Sequence, residues 1–497
     1  MESKLKIEEY SYTKEGLNLR VKISCPYLDD AVPRVKAVFT CMGKTRRLPL
    51  LVSFSEREGD TLNTVCEFTY RTDLIFYGFA PEEDTLLSFE VYYGNEHYYY
   101  DETLTIPVSE MKRKTKPLKK RNKPLHKLFR LIAGIYFRVL CLAHPVEKGR
   151  VSFLSGRRTT LGGNMERVYN FLKDDKRLDI RFLFFTQNST LEAIRNTRAF
   201  LLLYATSEVV VIDDFFRLMS LVKKRDGVRV VQLWHACGAF KTFGFSRMGK
   251  EGGPQQSNLA HRMYDYALVS SEEIAVHYAE GFGISDENVL PLGVARCDAF
   301  FDEEYKQSVT EQFYEKHPKL RDKKLILFAP TFRGNGQLSA YYPTDRLDVE
   351  KLYEDLDGEY AILVKLHPFC RERYNISERF RDVIIDLSDE DELNDILFVT
   401  DLLITDYSSV IFEASLLNIP MLFYAYDLEE YVATRDFYYD YKYLVPGKIV
   451  SSQQELEQSI ADGDFEHEKV EPFKERFFGD FCGGASQRAA ELIKSLI

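Results

Sequence analysis

The sequence predicts an α/β protein in which two doubly wound parallel-sheet domains follow an antiparallel, β-sandwich-like domain at the amino terminus. Three observations support this fold class. Short runs with a period of two fill the first part of the chain, and apolar strands alternating with helical patterns fill the part from about Val151 onward. These strands divide near residue 300 into two comparable halves. The predicted domains are 1–110, 111–146, 147–300 and 301–497.

The amino-terminal domain is predicted from alternation of apolar and polar residues. Residues 17–23 and 87–92 both alternate, and turn residues separate such runs. This pattern is typical of antiparallel strands that turn one face toward a core. The sequence of this domain contains no catalytic constellation, so we interpret it as an accessory or docking module.

A cationic segment, 111–146, follows this domain. Basic residues are concentrated at positions 112–124, although the whole chain has a net charge of -11. The apolar stretch 128–140 comes next, is interrupted by Arg130 and Arg138, and is short for a membrane span. Two interpretations stay open: a solvated linker leading into a core helix, and a basic amphipathic element attracted to an anionic membrane surface.

The two α/β domains are predicted from apolar runs that are each followed by a loop and a helical pattern. Residues 209–212, 325–329 and 402–405 are examples. Such runs indicate parallel strands that are buried on both faces. Domains of this kind are expected to bind a nucleotide-linked substrate in the cleft between them, outside the carboxyl ends of the strands.

Composition argues against some partners and cofactors. The net charge of -11 argues against nucleic acid as the main partner. Eight widely spaced cysteines without a C-x-x-C pair, and a charged start without an apolar signal-peptide core, predict a cytoplasmic location. Asp355 with Asp357, and Asp389 with Asp391, have D-x-D spacing but polar surroundings. We therefore expect these acids to be solvated and expect no metal or other cofactor.

The first candidate site residue is a histidine that directly follows a predicted strand. His235 comes after the apolar run 228–233 and precedes a small-residue loop with Gly238, Ala239 and Lys241. An imidazole in this place can take a proton from a hydroxyl near neutral pH. The alternative is a structural strand-end histidine, and the small-residue loop beside Lys241 favours the functional interpretation.

Two strand ends in the second half carry cations. Thr331 and Arg333 follow the run 325–329, and a hydroxyl with a guanidinium suits phosphate oxygens, although Arg333 in a surface ion pair is the alternative. Lys365 and His367 alternate along an apolar segment, so both are predicted to point to the same face. A cation beside an imidazole suits a diphosphate whose leaving phosphate needs neutralising.

The strongest signal follows the predicted strand 402–405. Ser408 and Ser409 fall where a helix is predicted to begin, and backbone N–H groups at a helix start bind phosphate. Glu413 lies one helical turn later and can reach a polyol or ribose hydroxyl. Simple N-capping by Asp406 or Ser408 is the alternative.

Taken in order, these motifs resemble those of the CDP-glycerol glycerophosphotransferases, the teichoic acid primases and polymerases. The resemblance covers the chain from about Val151 to the carboxyl terminus and rests on Trp234-His235, Ala329-Pro330-Thr331, His367-Pro368, 405–410 and 423–427. It implies the two-domain GT-B fold and two catalytic residues, His235 and His367. The substrate contacts that it implies, together with those expected from the motifs, are Gly238, Ala239, Arg296, Pro330, Thr331, Arg333, Lys365, Asp406, Ser408, Ser409 and Glu413.

The chain departs from the family pattern in two motifs, and the first departure concerns the acceptor, or the exact polyol, more than the reaction class. The family usually has Gly-Thr-Pro after the first histidine, whereas this chain has Ala236-Cys237-Gly238-Ala239. The proline that usually precedes the arginine of the next motif is absent before Arg296.

The resemblance implies a transferase that moves a polyol phosphate, with glycerol phosphate favoured, from a CDP-linked donor to a hydroxyl of a teichoic-acid-like or capsular polymer. The acceptor would be a lipid-linked glycan or polyol phosphate, met at the inner face of the cell membrane. A GT-B sugar transferase using a UDP-sugar and a catalytically silent docking protein are the alternatives. The exact polyol, the acceptor and a homo-oligomeric state stay open.

Overall fold

The computed structural model describes residues 3–29, 31–77, 79–115, 124–186, 190–259, 261–334, 339–356, 358–389 and 392–497. The chain divides into two compact units. The first comprises Met1–Arg296 with Tyr438–Asp440 and Gly484–Ile497, and the second comprises Cys297–Phe437 with Tyr441–Gly483.

The amino-terminal domain of the first unit is an antiparallel sheet of seven strands. Its strands are β1 (Lys4–Tyr12), β2 (Leu17–Pro26), β3 (Arg34–Cys41), β4 (Lys44–Glu58), β5 (Thr61–Tyr70), β6 (Thr85–Tyr93) and β7 (Glu96–Ile106), with the short helices α1 (Thr72–Ile75) and α2 (Val108–Met111). The strand order is β1-β2-β5-β4-β3-β6-β7.

The seven strands of the predicted sandwich-like domain form two halves that share β4. The first half of this long strand pairs with β3, and the second half pairs with β5 after a register shift between Val52 and Phe54. Alternate residues of β2 are buried, as its period of two predicts, and they join a core that includes Phe39, Cys66 and Phe89. The antiparallel character of this domain is therefore confirmed.

The second sheet of the first unit has six parallel strands. They are β8 (Glu147–Ser155), β9 (Asp179–Phe184), β10 (Ser207–Ile212), β11 (Arg229–Gln232), β12 (Tyr266–Leu268) and β13 (Val289–Leu290), in the order β13-β12-β11-β10-β8-β9. The associated helices are α3 (Pro124–Ala143), α4 (Gly163–Asn170), α5 (Thr190–Thr206) and α6 (Glu272–Phe282).

The second unit contains another six-stranded parallel sheet. Its strands are β14 (Lys324–Phe328), β15 (Tyr360–Val364), β16 (Ile384–Asp386), β17 (Leu402–Thr405), β18 (Met421–Tyr424) and β19 (Lys448–Val450), in the order β16-β15-β14-β17-β18-β19. Its helices are α7 (Glu303–Lys316), α8 (Val349–Asp355), α9 (Leu393–Ile396), α10 (Val410–Leu416), α11 (Leu428–Thr434), α12 (Tyr441–Leu444), α13 (Gln453–Asp462) and α14 (Val470–Phe478).

The last helix, α15 (Ala485–Ser495), returns to the first unit. Its buried residues Ala489, Ala490 and Ile493 belong to the same core as Val151 and Phe153 of β8. The sequence places this helix with the second domain, because it follows that domain in the chain. In the structure, its small and apolar face instead packs into a core whose β8 residues lie more than three hundred positions earlier in the chain.

Candidate active site

His235 is the third residue beyond the end of β11 and follows a sharp turn. Trp234 adopts a φ of +54°, a left-handed conformation that is uncommon for a bulky side chain. Its N–H donates to Oε1 of Gln232 at 2.9 Å, and Nδ2 of Asn164 donates to its carbonyl oxygen at 2.5 Å. These two bonds hold the turn, and the His235 side chain beyond it is 43% exposed. A substrate can therefore reach the ring.

A carboxylate from the neighbouring strand end faces this imidazole. Asp214 follows β10, which pairs with β11, and its Oδ1 lies 3.4 Å from Nδ1 of His235. Nε2 of Gln232 donates to the carbonyl of Asp214 at 3.0 Å and so ties the two strand ends together. The carboxylate favours a proton on Nδ1, which leaves Nε2 as the basic nitrogen.

The electrostatic surroundings keep His235 neutral at physiological pH. Its pKa is lowered from the ordinary value of 6.5, first by burial, with Asp214 opposing the shift and the positive charges of Arg157 and Arg296 adding to it. Arg157 itself pairs with Asp214 at 2.8 Å. Beside them, burial raises the pKa of Asp213 to about 6, although Arg158 lies 3.2 Å away. A neutral imidazole oriented by a carboxylate can act as a general base.

Asn164 is a site residue that sequence reasoning missed. It lies in the first turn of α4 and is 3% exposed. Its Oδ1 accepts from the N–H of Arg296 at 2.7 Å, while its Nδ2 binds the turn at Trp234. One buried amide thus fixes Arg296 near His235, as the effect of Arg296 on the histidine pKa also shows. The pair Gly162-Gly163 before a helix was the signal that could have identified it.

The loop after His235 is turned toward the interior of the first unit. The hydroxyl of Tyr278 donates to the carbonyl oxygens of Ala236 and Gly238, both at 3.1 Å. Oγ of Ser270 donates to the carbonyl of Cys237 at 2.6 Å, and Ala239 is 1% exposed. Any substrate contact by Gly238 or Ala239 would therefore involve their backbone.

In the second unit, Arg333 links three strand ends. Its Nη1 donates to Oδ2 of Asp406 at 2.9 Å and to the carbonyl of Thr331, and Nε and Nη2 donate to the two carboxylate oxygens of Asp427 at 2.7 and 2.8 Å. The side chain is 9% exposed. Burial opposes its charge, but the two carboxylates outweigh burial and raise its pKa above the ordinary value. The surface ion pair considered as an alternative is therefore wrong, because this pair is buried.

Asp406 is the centre of the same network. Its Oδ1 accepts two backbone N–H groups, that of Thr331 at 2.7 Å and that of the next residue, Tyr407, at 2.5 Å. Asp406 is 1% exposed and Thr331 is 8% exposed. Asp406, Thr331 and Arg333 are thus brought together in an arrangement that holds the ends of β14 and β17 side by side.

Lys365 and His367 lie just beyond the end of β15. Nζ of Lys365 donates to the carbonyl oxygens of Leu387 at 2.7 Å and Ser388 at 3.4 Å. Nδ1 of His367 accepts the N–H of Phe369 at 3.1 Å. A neutral His367 therefore carries its proton on Nε2, which makes that nitrogen a donor.

Ser408 and Ser409 lie at the start of α10, which begins at Val410. Oγ of Ser408 accepts the N–H of Val410, the first residue of the helix, at 3.3 Å, whereas the side chain of Ser409, the N-cap residue, makes no capping bond. Glu413 in the same helix is 2% exposed. Because β15, β14 and β17 are neighbours in the sheet, Lys365, Thr331 and the two serines follow adjacent carboxyl ends, the edge where open α/β sheets bind ligands.

The D-x-D acids do not form a metal centre in the part of the chain that the structure describes. Asp355 pairs with Lys351 one turn earlier, and Asp389 lies 2.6 Å from Arg373. No group of three metal-ligating side chains occurs among the described residues, and Asp357, Glu390 and Asp391 lie outside them.

Helix α3 has two apolar faces. Ala133, Phe137 and Leu140 are buried, and Phe137 stacks on Tyr204 of α5 with ring centroids 5.8 Å apart. The opposite side exposes a row of apolar residues: Leu128, Leu131, Ile132, Ile135, Val139 and Leu142. Among the described helices, none is both long enough and apolar enough to cross a bilayer. Residues 116–123 of the cationic segment lie outside the described residues.

Comparison with known proteins decides the family. The model of the family described as CDP-Glycerol:Poly(glycerophosphate) glycerophosphotransferase matches residues 135–495. The chain belongs to this family. The resemblance found in the motifs is thereby confirmed, and the amino-terminal sheet precedes the part of the chain that defines the glycerophosphotransferase family.

Relatives in the glycerophosphotransferase family differ in the polyol that their names give. The teichoic acid poly(ribitol-phosphate) polymerase of Bacillus spizizenii is 44% identical over 70% of this chain and 56% of that protein. The teichoic acid ribitol-phosphate polymerase TarK of Staphylococcus aureus is 44% identical over 72% of this chain and 70% of that protein. A teichoic acid glycerol-phosphate primase of Bacillus subtilis is 34% identical over 59% of this chain. The chain spans little more than half the length of the Bacillus spizizenii polymerase.

Among solved structures, the wall teichoic acid polymerase TagF is similar in fold. It superposes with a TM-score of 0.61 at 21% identity, covering 76% of this chain and 98% of that chain. Together with the two parallel sheets, this likeness confirms the predicted fold class.

Proposed function

We propose that this chain transfers a polyol phosphate from a CDP-linked donor to a hydroxyl of a teichoic-acid-like polymer and releases CMP. The observation that carries the proposal is a neutral, accessible His235 with Asp214 at its Nδ1, in a chain of the glycerophosphotransferase family. The first unit supplies the base for the acceptor, and the strand ends of the second unit bind the donor diphosphate.

The reaction is a displacement at the phosphorus that bears the polyol. The acceptor oxygen forms a bond to phosphorus as its proton passes to Nε2 of His235, and the bond from phosphorus to the CMP oxygen breaks, so that CMP leaves with the electron pair. His367 donates from Nε2 to a phosphate oxygen, as its bond from Phe369 supports. Lys365, Arg296 and the Ser408-Ser409 helix start stabilise the developing charge.

Ribitol phosphate is the polyol phosphate that we propose, in place of the glycerol phosphate favoured by the motifs alone. The ribitol-phosphate polymerases described above are 44% identical to this chain, and the glycerol-phosphate primase is 34% identical. The motif residues by themselves do not distinguish the two polyols, so overall similarity is the better guide.

The role of Arg333 in this proposal is positioning. Its donors are used on Asp406, Asp427 and the carbonyl of Thr331, so it orients the β14 and β17 ends that carry Thr331 and Ser408. In this proposal Lys365, Thr331, Ser408 and Ser409 contact the phosphate directly.

Incubation of the purified protein with CDP-ribitol, CDP-glycerol and UDP-sugars, each with a soluble polyol-phosphate acceptor, tests this function. We expect CMP release with CDP-ribitol, slower release with CDP-glycerol and none of UDP. Release of UDP would instead support the sugar transferase, and a lack of turnover with every donor would support a docking protein.

We also propose that α3 attaches the enzyme peripherally to an anionic membrane surface, where a lipid-linked acceptor is met. Its outer row of apolar residues and the cations that precede it in the sequence, including Lys112 and Lys114, support this. Binding to anionic liposomes should be salt-sensitive. Leu131→Ser with Ile135→Ser should weaken it about tenfold per residue, while Val52→Ser with Leu86→Ser, at equally exposed sites of the amino-terminal sheet, should leave it unchanged. Equal effects of the two pairs would contradict this role for α3.

A further inference from the structure

A cavity of about 700 Å³ lies within the first unit, away from the residues assigned to catalysis. Its wall is formed mainly by two stretches of the long loop between β11 and β12, which include Thr242, Arg247 and Asn258, and is completed by Arg130 of α3 and by Phe215. This volume is within the usual range for small-molecule sites.

The cavity adjoins the surroundings of His235. Phe215 directly follows Asp214, whose carboxylate lies 3.4 Å from the imidazole. On the other side, Phe243 of the cavity wall stacks on Trp234, the residue before His235, with ring centroids 5.3 Å apart. Two residues of the cavity wall, Phe215 and Phe243, are therefore in direct contact with, or bonded to, the residues that surround the proposed general base.

The lining is suited to an anion that also carries hydroxyl groups. Arg130 and Arg247 contribute two positive charges, and no carboxylate occurs among the described residues of the wall. Burial lowers the pKa of His261 to about 4, so its ring stays neutral and contributes hydrogen bonding without charge. The cavity is thus both cationic and polar.

Two buried polar atoms of the wall have no hydrogen-bond partner among the described residues. One is Oγ1 of Thr242, whose side chain is 7% exposed, and the other is Nε of Arg247. Burying such atoms without a partner costs about 1–3 kcal/mol each. Both atoms belong to residues that line the cavity, so a small change of side-chain rotamer would let each of them bond to an oxygen of a bound ligand.

The amino-terminal sheet packs against the loop that forms this wall. Phe245 and Met248 of the loop belong to the hydrophobic core of that sheet. Oε1 of Gln256 accepts the N–H of Arg71 at 2.7 Å, and its Nε2 donates to the carbonyl of Thr69 at 2.8 Å, at the end of β5. The domain that precedes the family-defining region therefore holds the cavity loop in place.

We infer that this cavity binds the acceptor, with Arg247 and Arg130 contacting phosphodiester groups and Thr242 contacting a polyol hydroxyl or phosphate oxygen. The inference rests on the proposed function, because it takes the acceptor to be a polyol-phosphate chain. It gives the amino-terminal domain a role in acceptor binding, and it places that acceptor between α3 and His235.

Binding of a short soluble poly(ribitol phosphate) oligomer, followed by calorimetry without donor, tests the inference. Arg247→Gln should weaken binding about tenfold or more, since charge-assisted hydrogen bonds are lost. Thr242→Val, which keeps the side-chain shape, should weaken it about threefold to tenfold. Arg181→Gln, an exposed arginine of β9 that does not line the cavity, is the matched control and should bind as the wild type does.

Kinetics separate failure of this inference from failure of the proposed function. With CDP-ribitol, Arg247→Gln and Thr242→Val should raise the KM for the oligomer while the KM for the donor stays unchanged. If wild-type protein releases CMP but both variants bind the oligomer normally, the cavity is not the acceptor site. A wild type that does not bind the oligomer at all would overturn the inference as well, whereas a wild type that binds it but never releases CMP would overturn the proposed function instead.

Discussion

The strand ends of the two parallel sheets use charge in opposite ways. Beyond β10 and β11, His235 is 43% exposed and lies 3.4 Å from a carboxylate. Beyond β14, β17 and β18, Arg333 is 9% exposed and its nitrogens are bonded to two carboxylates and a carbonyl. The first edge keeps a titratable group accessible. The charged groups of the second edge instead bind one another and hold the strand ends in place. A similar motif position in two sheets therefore does not imply a similar role.

Replacing His235 should give the largest effect on turnover. His235→Ala removes the proposed base and should lower kcat about 10²–10⁴-fold, with donor affinity little changed because Lys365, His367 and the two serines proposed to bind the donor lie in the second unit. Turnover kinetics with calorimetric titration of CDP-ribitol measures both quantities. His467→Ala, at an exposed histidine, is the control. A large loss of donor affinity in His235→Ala would make His235 a donor ligand.

Replacing Arg333 should lower the stability of the fold rather than impair a single step of the reaction. Arg333→Met leaves the buried Asp406 and the partly buried Asp427 without their ion-pair partner, which should lower the free energy of unfolding by about 3–5 kcal/mol. The exposed pair of Arg379 with Glu354, 3.0 Å apart, provides the control, because Arg379→Met should cost less than about 1 kcal/mol. Urea denaturation of both variants makes the comparison. Similar small losses would show that the Arg333 network is not a structural centre.

The two serines of the second edge should affect donor binding. Ser408→Ala with Ser409→Ala should weaken CDP-ribitol about tenfold or more, through lost hydrogen bonds to the diphosphate. Ser452, whose side chain caps α13 by accepting the N–H of Glu455, gives a matched capping control. Ser452→Ala should lower thermal stability without changing donor affinity. If the double variant behaves in the same way, Ser408 and Ser409 only cap α10.

The smallest expected effect is a shift in the pH profile. In the proposed mechanism turnover requires neutral His235, so it should fall as the pH drops through the pKa of this histidine, which lies below 6.5. Asp214 raises this pKa and Arg157 lowers it. Asp214→Asn should therefore move the acid limb to lower pH, and Arg157→Gln should move it to higher pH. Identical profiles for the two variants would assign the limb to another group.

The sequence by itself determined the elements and the residues at their ends. Alternation in 17–23 predicts a strand of the antiparallel sheet, and the position of His235 after an apolar run predicts its exposure beyond β11. Such features are local, because period and strand termination depend on neighbouring residues. The family motifs are local in the same sense, and they were sufficient to place the chain in its family.

Only the tertiary structure decided which of these residues act together. The Asn164 bond to Arg296 spans 132 residues, and the bonds of Arg333 to Asp406 and Asp427 span 73 and 94 residues. The order of parallel strands brings such ends together, and a one-dimensional pattern does not encode that order. The same reason explains why α15 joined the first core and why Gln256 ties the cavity loop to the amino-terminal sheet. Contacts of this range depend on how successive crossovers stack, which is a property of the whole fold.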